Sequence, residues 1–179
     1  MIRAALPLLM LAAGAAPAAA QQRHNSNAPI DFSASAIELQ DKANRAILSG
    51  DVSVRQAEMT LTAARMTVNY TGRVINGSPQ VSRLDATGGV TVNRPDQRAK
   101  SQYAIYDLNR RIITMLGAVS LAQGGNVVNG GRLTINLDTG RATIDGSSVG
   151  GTVQTPSGTS VTTGGGRVTG RFSVPSRSQ

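Results

Sequence analysis

One histidine and ten carboxylates are the groups from which this chain could assemble acid–base chemistry. His24 stands in a polar stretch near the N-terminus and reads as a surface residue. Asp51, Asp85, Asp138 and Asp145 fall beside turn signals, where Asp commonly bonds its own backbone. Glu38 and Glu58 fall on presumed wet faces, so no pair of carboxylates is set up for general acid and base work. There is no cysteine, which removes disulfides and thiolate metal sites. Gly88-Gly89 and Gly130-Gly131 lack a following Lys-Ser/Thr and a helix, so they read as turns and not as phosphate loops. The chain lacks a recognisable nucleophile, base or metal set, and the expectation is a protein that is no enzyme and carries no cofactor or metal.

What remains is apolar alternation. Period-two runs recur at Ile30/Phe32, Ile37/Leu39, Val52/Val54, Met59/Leu61, Met66/Val68/Tyr70, Val90/Val92, Tyr103/Ile105, Ile113/Met115, Val119/Leu121, Leu133/Ile135/Leu137 and Ala142/Ile144. Thr, Ser, Arg and Asn fill the alternate places, the pattern of antiparallel strands with one buried and one wet face. Turn signals separate them at Asn44-Arg45, Ser49-Gly50, Asn76–Pro79, Thr87–Gly89, Gly124–Asn126, Asn129–Gly131 and Asp138–Gly140. The expected fold is all-β: a sandwich, jelly roll or barrel. A longer period is superposed. An Arg precedes a Gly and then an alternating run at Arg45/Gly50, Arg83/Gly88 and Arg111/Gly117, and the pattern fades after Arg141/Gly146. A repeat this small cannot bury its own apolar face, so copies must stack and share an interior. That interior is either an ordinary close-packed core or a trough that admits an alkyl chain, each buried methylene contributing about 0.8 kcal/mol.

The N-terminus limits where the chain works. Arg3, the apolar run Leu6–Leu11 and the small residues Ala18-Ala19-Ala20 make a secretory signal peptide over 1–20, too short to span a bilayer. A flexible segment over 21–28, a β-domain over 29–146 and a Gly/Ser/Thr-rich flexible tail over 147–179 follow. A last strand at Val149 or over 167–174 is the alternative reading within this tail. The net charge of +8 comes mostly from spaced Arg, which fits a solvated face or contact with anionic glycolipid. Aromatic residues at 3% supply no stacking platform for single-stranded nucleic acid.

Several of these segments resemble a known family. Ala28–Phe32, Ala36–Leu39, Ala46–Val54 and Leu61–Val68, followed by Lys100–Asp107 and Ile112–Gln123, are similar in order and spacing to the OstA-like, or LptA-like, family of periplasmic lipopolysaccharide-transport proteins. The resemblance implies a twisted antiparallel β-jelly roll with an apolar interior groove for acyl chains. It also implies head-to-tail self-association, an LptC-type partner at the inner membrane and an LptD-type partner at the outer membrane. Ile30 and Phe32 match the family's first-strand apolar pair, with Phe32 where an aliphatic residue is usual, and Ala64 replaces a family Asp. On this reading lipid lies against Ile30, Phe32, Ile37, Leu39, Val52, Val54, Leu61, Met66, Val68, Val90, Val92, Tyr103, Ile105, Met115, Val119, Leu121, Leu133 and Ile135, some of them simply core.

Two other classes compete. An exported β-solenoid or adhesin-like module would also show repeats and a Thr/Gly tail, but the gaps between Gly50, Gly88 and Gly117 are uneven for a solenoid. A periplasmic hydrolase would have to depend on His24.

Overall fold

The computed structural model describes residues 24–72, 79–146, 153–154, 160–161 and 167–171. The signal-peptide reading over 1–20 and most of the tail, including the Gly-rich run at 164–166, lie outside these residues, as does the turn expected at Asn76–Ser78.

Period-two alternation produces long antiparallel strands. In chain order they are β1 (Ile30–Ser33), β2 (Ala36–Gln40), β3 (Arg45–Gln56), β4 (Met59–Thr71), β5 (Gln80–Asn93), β6 (Gln97–Asp107), β7 (Ile112–Gln123), β8 (Asn126–Asn136) and β9 (Ala142–Asp145). Three short strands follow: β10 (Val153–Gln154), β11 (Ser160–Val161) and β12 (Thr169–Arg171). A 3-10 turn over Asp41–Ala43 is the only helical element among the described residues. From β3 to β8 each strand pairs with its sequence neighbour, an up-and-down meander. This antiparallel order is not that of a β-solenoid, whose coils stack in parallel.

The glycines expected at turns lie inside strands. Ser49-Gly50, Thr87–Gly89 and Asn129–Gly131 are within β3, β5 and β8, so single strands run where two shorter ones were read. The reason is a row of β-bulges. Gly50 and Asp51 stand opposite Ala64 alone, Gly88 and Gly89 opposite Gln102, and Gly117 and Ala118 opposite Gly131. Each of these three pairs has positive φ: 76° and 45°, 84° and 72°, 79° and 47°. Two left-handed residues against one partner bend a strand and increase its twist. Because the bulges fall side by side, they align into one crease across the sheet.

The crease divides every long strand into two halves. One half-sheet contains 52–56, 59–62, 90–93, 97–101, 119–123 and 126–130; the other contains 45–49, 65–71, 80–87, 103–107, 112–116 and 132–136. The outermost pairings are split at the same line. β1 pairs with the first half of the sheet through β3 and β2 with the second, and on β8 the same division falls between β12 and β9. A hydroxyl–amide bond from Tyr106 on one half to Gln56 on the other shows that the halves face each other. Their inner faces share one apolar core that includes Leu48, Leu61, Met66, Leu84, Ile113 and Leu133. The result is an antiparallel β-jelly roll built from one folded sheet.

The two glycines of the β5 bulge offer a direct test. A Cβ on Gly88 would lie 2.8 Å from the Ala64 Cβ, whereas one on Gly89 would meet nothing within 4 Å, and both residues have positive φ. Gly88→Ala should lower stability by about 1–3 kcal/mol beyond the backbone strain that Gly89→Ala also carries. Urea denaturation of the two variants measures the difference; equal midpoints would show that close packing at the crease is not needed.

Candidate functional site

Alternation places one side chain in two on the inner face, but the even-numbered strands change phase at the crease. In β4 the buried series is Met59, Leu61, Ala63 and then Met66, Val68, Tyr70. In β6 it is Gln97, Ala99, Ser101 and then Ala104, Tyr106. This corrects the expected inward orientation of Tyr103 and Ile105. Tyr103 pairs with Leu116 and is 52% exposed, while Ala104 and Tyr106 occupy the interior positions on either side of Ile105. The bulged residues are on the neighbours, Gly88-Gly89 of β5 and Gly117-Ala118 of β7, so β6 changes phase with no signal in its own sequence.

The other expected lining residues fall into two groups. Val52, Val54, Leu61, Met66, Val68, Val90, Val92, Met115, Val119, Leu121, Leu133 and Ile135 are all buried. They fill the space between the half-sheets, which is closed to water in this conformation. Ile30, Phe32, Ile37 and Leu39 are different. Their partners across β3 are Gln56, Val54, Leu48 and Ala46, all inward-facing, so these four continue the inner surface. Among the described residues no strand lies beyond them, and Phe32, Ile37 and Leu39 are 53%, 50% and 60% exposed. The apolar interior therefore opens at this end, with β1 supplying one wall and β2 the other. Sequence reasoning passed over Leu48, Leu84, Ala86, Ala99, Ala104 and Tyr106, which are equally interior. The alternation could have found Leu48 and Leu84.

The interior also holds polar chemistry that composition did not reveal. Gln56 is buried, and its amide makes four hydrogen bonds, the full capacity of the group. Its Nε2 donates to the backbone oxygens of Ser26 (2.9 Å) and Ala28 (3.1 Å). Its Oε1 accepts from the Tyr106 hydroxyl at 2.6 Å and meets His24 Nε2 at 3.2 Å. Burial pushes the Tyr106 phenol up to about 12, so it remains a neutral donor. His24, read from the sequence as a surface residue, is half-buried against Gln56. Arg111, in the β6–β7 turn, donates to Asn27 Oδ1 at 2.9 Å and pairs with Asp138 at 3.1 Å. The segment His24–Ala28 is thus held to both half-sheets, along the side opposite the crease. Each such bond contributes roughly 0.5–1.5 kcal/mol net, so the segment is held by only a few kcal/mol.

The remaining candidates for chemistry do not converge. Asp85 bonds Asn69 and Arg83, Asp138 bonds Arg111, and among the described residues no cluster of His, Asp and Glu could hold a metal. A cavity of about 370 Å³ on the crease is lined by Asp51, Val52, Thr62–Ala64 and Gly88-Gly89, with no group paired for catalysis.

The fold is one antiparallel sheet folded over an apolar core, and its inner surface reaches the rim at the β1/β2 end. A family model described as "LptA/(LptD N-terminal domain) LPS transport protein" matches residues 31–141. The chain belongs to this family of lipopolysaccharide-transport proteins. An uncharacterised protein of Rhizobium meliloti (strain 1021) is 33% identical over 134 residues, 73% of this chain and 71% of that protein. Among solved structures, LptH of Pseudomonas aeruginosa, described as the LptA-homologous periplasmic component of the lipopolysaccharide transport device, superposes with a TM-score of 0.65. That match is at 20% identity and covers 84% of this chain and 99% of LptH.

The environment of His24 sets a pH dependence. Its pKa lies below the usual 6.5, chiefly through burial; the Gln56 bond opposes this, nearby Arg94 adds to it and Glu58 opposes it. A lowered native pKa means that folding favours the neutral ring. The contribution is complete above the unfolded value and is lost as pH falls below it. The urea midpoint should therefore drop between about pH 7 and about pH 5, and His24→Gln should reduce that drop. Identical pH profiles for the two proteins would show that the His24 contact contributes nothing.

Proposed function

We propose that this chain is a non-enzymatic periplasmic bridge that binds the acyl chains of lipopolysaccharide in its apolar interior and passes the lipid from the inner to the outer membrane. Export would use residues 1–20 as a cleaved signal peptide. Head-to-tail self-association would join interiors end to end, with an LptC-type protein at the inner membrane and an LptD-type protein at the outer membrane. β1 and β2, edge strands among the described residues, would provide for such joining.

The observation that carries this reading is the open end. Ile30, Phe32, Ile37 and Leu39 extend a buried apolar surface to the rim of the sheet and leave three large side chains half exposed. Water-facing apolar area of this kind is stabilised by an alkyl chain or by the next protomer. Family membership supports lipopolysaccharide as that lipid. The energy of transport must be supplied by other components, because no phosphate loop or nucleotide motif is present in the sequence.

Photo-crosslinking tests the assignment. A photoreactive residue at position 30, 32, 37 or 39 should form adducts with lipopolysaccharide, and one at outward-facing Tyr103 should not. Ile30→Asp should weaken lipid binding by about tenfold or more, since it puts a charge where an alkyl chain lies. Equal labelling from positions 32 and 103, or none from any of the four, would refute the reading.

A further inference from the structure

The interior is closed where the two half-sheets meet opposite the crease, by the direct Tyr106–Gln56 hydrogen bond and by a separate piece of chain that joins the same margins. Gln56 is at the free margin of one half-sheet, beside the β3–β4 turn; Tyr106 and Arg111 flank the β6–β7 turn at the margin of the other. Between these margins runs His24–Ala28. Its own backbone bonds are local, from Ser26 N to His24 O and from Ala28 N to Asn25 O. Its ties to the sheets pass through side chains: Gln56 binds the Ser26 and Ala28 carbonyls and meets the His24 ring, and Arg111 binds Asn27. Such a segment can leave without breaking a single strand pairing.

We propose that His24–Ala28 is a strap across the seam between the half-sheets, and that its release from Arg111 and Gln56 lets the Tyr106–Gln56 bond part and opens the interior sideways to alkyl chains. This rests on the lipid-carrier reading above and adds the route of entry. A lipid with a large hydrated head group cannot be threaded through an enclosed tube, because the head would have to shed its water. Opening along the seam lets the chains enter while the head stays outside. The strap suits this role because its bonds to the second margin come from exposed groups. Asn27 and Arg111 meet at the surface, so solvent competes for their bond. Gln56 remains on the first margin as the anchor to which the strap returns.

The test uses the mature chain and a long-chain fluorescent fatty acid whose emission rises in apolar surroundings. Asn27→Ala and Arg111→Ala each remove the tie to the second margin without touching the core; Arg111→Ala also breaks the Asp138 ion pair, so Asn27→Ala is the decisive variant. Each should speed probe uptake by about tenfold, the population shift expected when one charge-assisted bond no longer holds the closed state. Melting curves identify a variant whose uptake rises merely because it is unfolding. Since the natural chain has no cysteine, Asn27→Cys with Arg111→Cys can be joined by a short cleavable bis-maleimide. The joined form should take up probe far more slowly, and cleavage of the linker should restore the rate. If joined, cleaved and unaltered proteins take up probe at one rate, the strap is not the gate, while the carrier reading stands. If none of the forms binds probe, the carrier reading fails and takes the strap with it.

Discussion

Everything in this fold depends on pairs of left-handed residues placed side by side in alternate strands. Gly50-Asp51, Gly88-Gly89 and Gly117-Ala118 each put two residues against one across the ladder, and the strands bend where they do so. A single bulge would be a local kink. Three in register make a crease, and the crease turns one ten-stranded sheet into two facing halves. The Arg–Gly repeat now has a physical meaning: its unit is a β-hairpin, in which the Arg is near the sheet margin and the Gly marks the crease. Where the outermost strands reach this line they stop, which is why β1 is separate from β2 and β9 from β12.

Folding the sheet places apolar side chains face to face and leaves three kinds of boundary. The crease is closed by backbone. The opposite seam is closed by a polar cluster around Gln56, whose four hydrogen bonds meet the cost of burying an amide. Among the described residues nothing closes the β1/β2 end, and there the inner surface emerges as Phe32, Ile37 and Leu39. A protein that only needed a stable core would cover such residues with one more strand. Their exposure is the reason the proposed lipid or neighbouring molecule would continue the interior at this end.

The degree to which the sequence could be read varied with the range of the interaction. Val52/Val54, Val90/Val92 and Val119/Leu121 were recognisable as inward pairs because alternation is a local property. Tyr103 and Ile105 were placed on the wrong face because β6 changes phase at Gln102 in answer to the bulges of its neighbours β5 and β7, not to anything in its own sequence. Gly50 and Gly88 looked like turn residues for a sound local reason, since a positive φ suits a turn and a bulge alike. Gln56 and His24 carried no signal, because their partners are far along the chain: Tyr106 is 50 residues from Gln56, and Gln56 is 32 from His24.

By itself the sequence determined that the chain is all-β, that its strands have one apolar face, and that no catalytic or metal-binding set is recognisable in it. These follow from side-chain type and period two, which any short window of the chain contains. Only the tertiary structure decided which glycines bend strands, which phase each half-strand takes across the crease, and which apolar residues are exposed at the β1/β2 end. Those outcomes depend on hydrogen-bond register between strands and on contact between facing halves, and neither exists until the sheet has folded over.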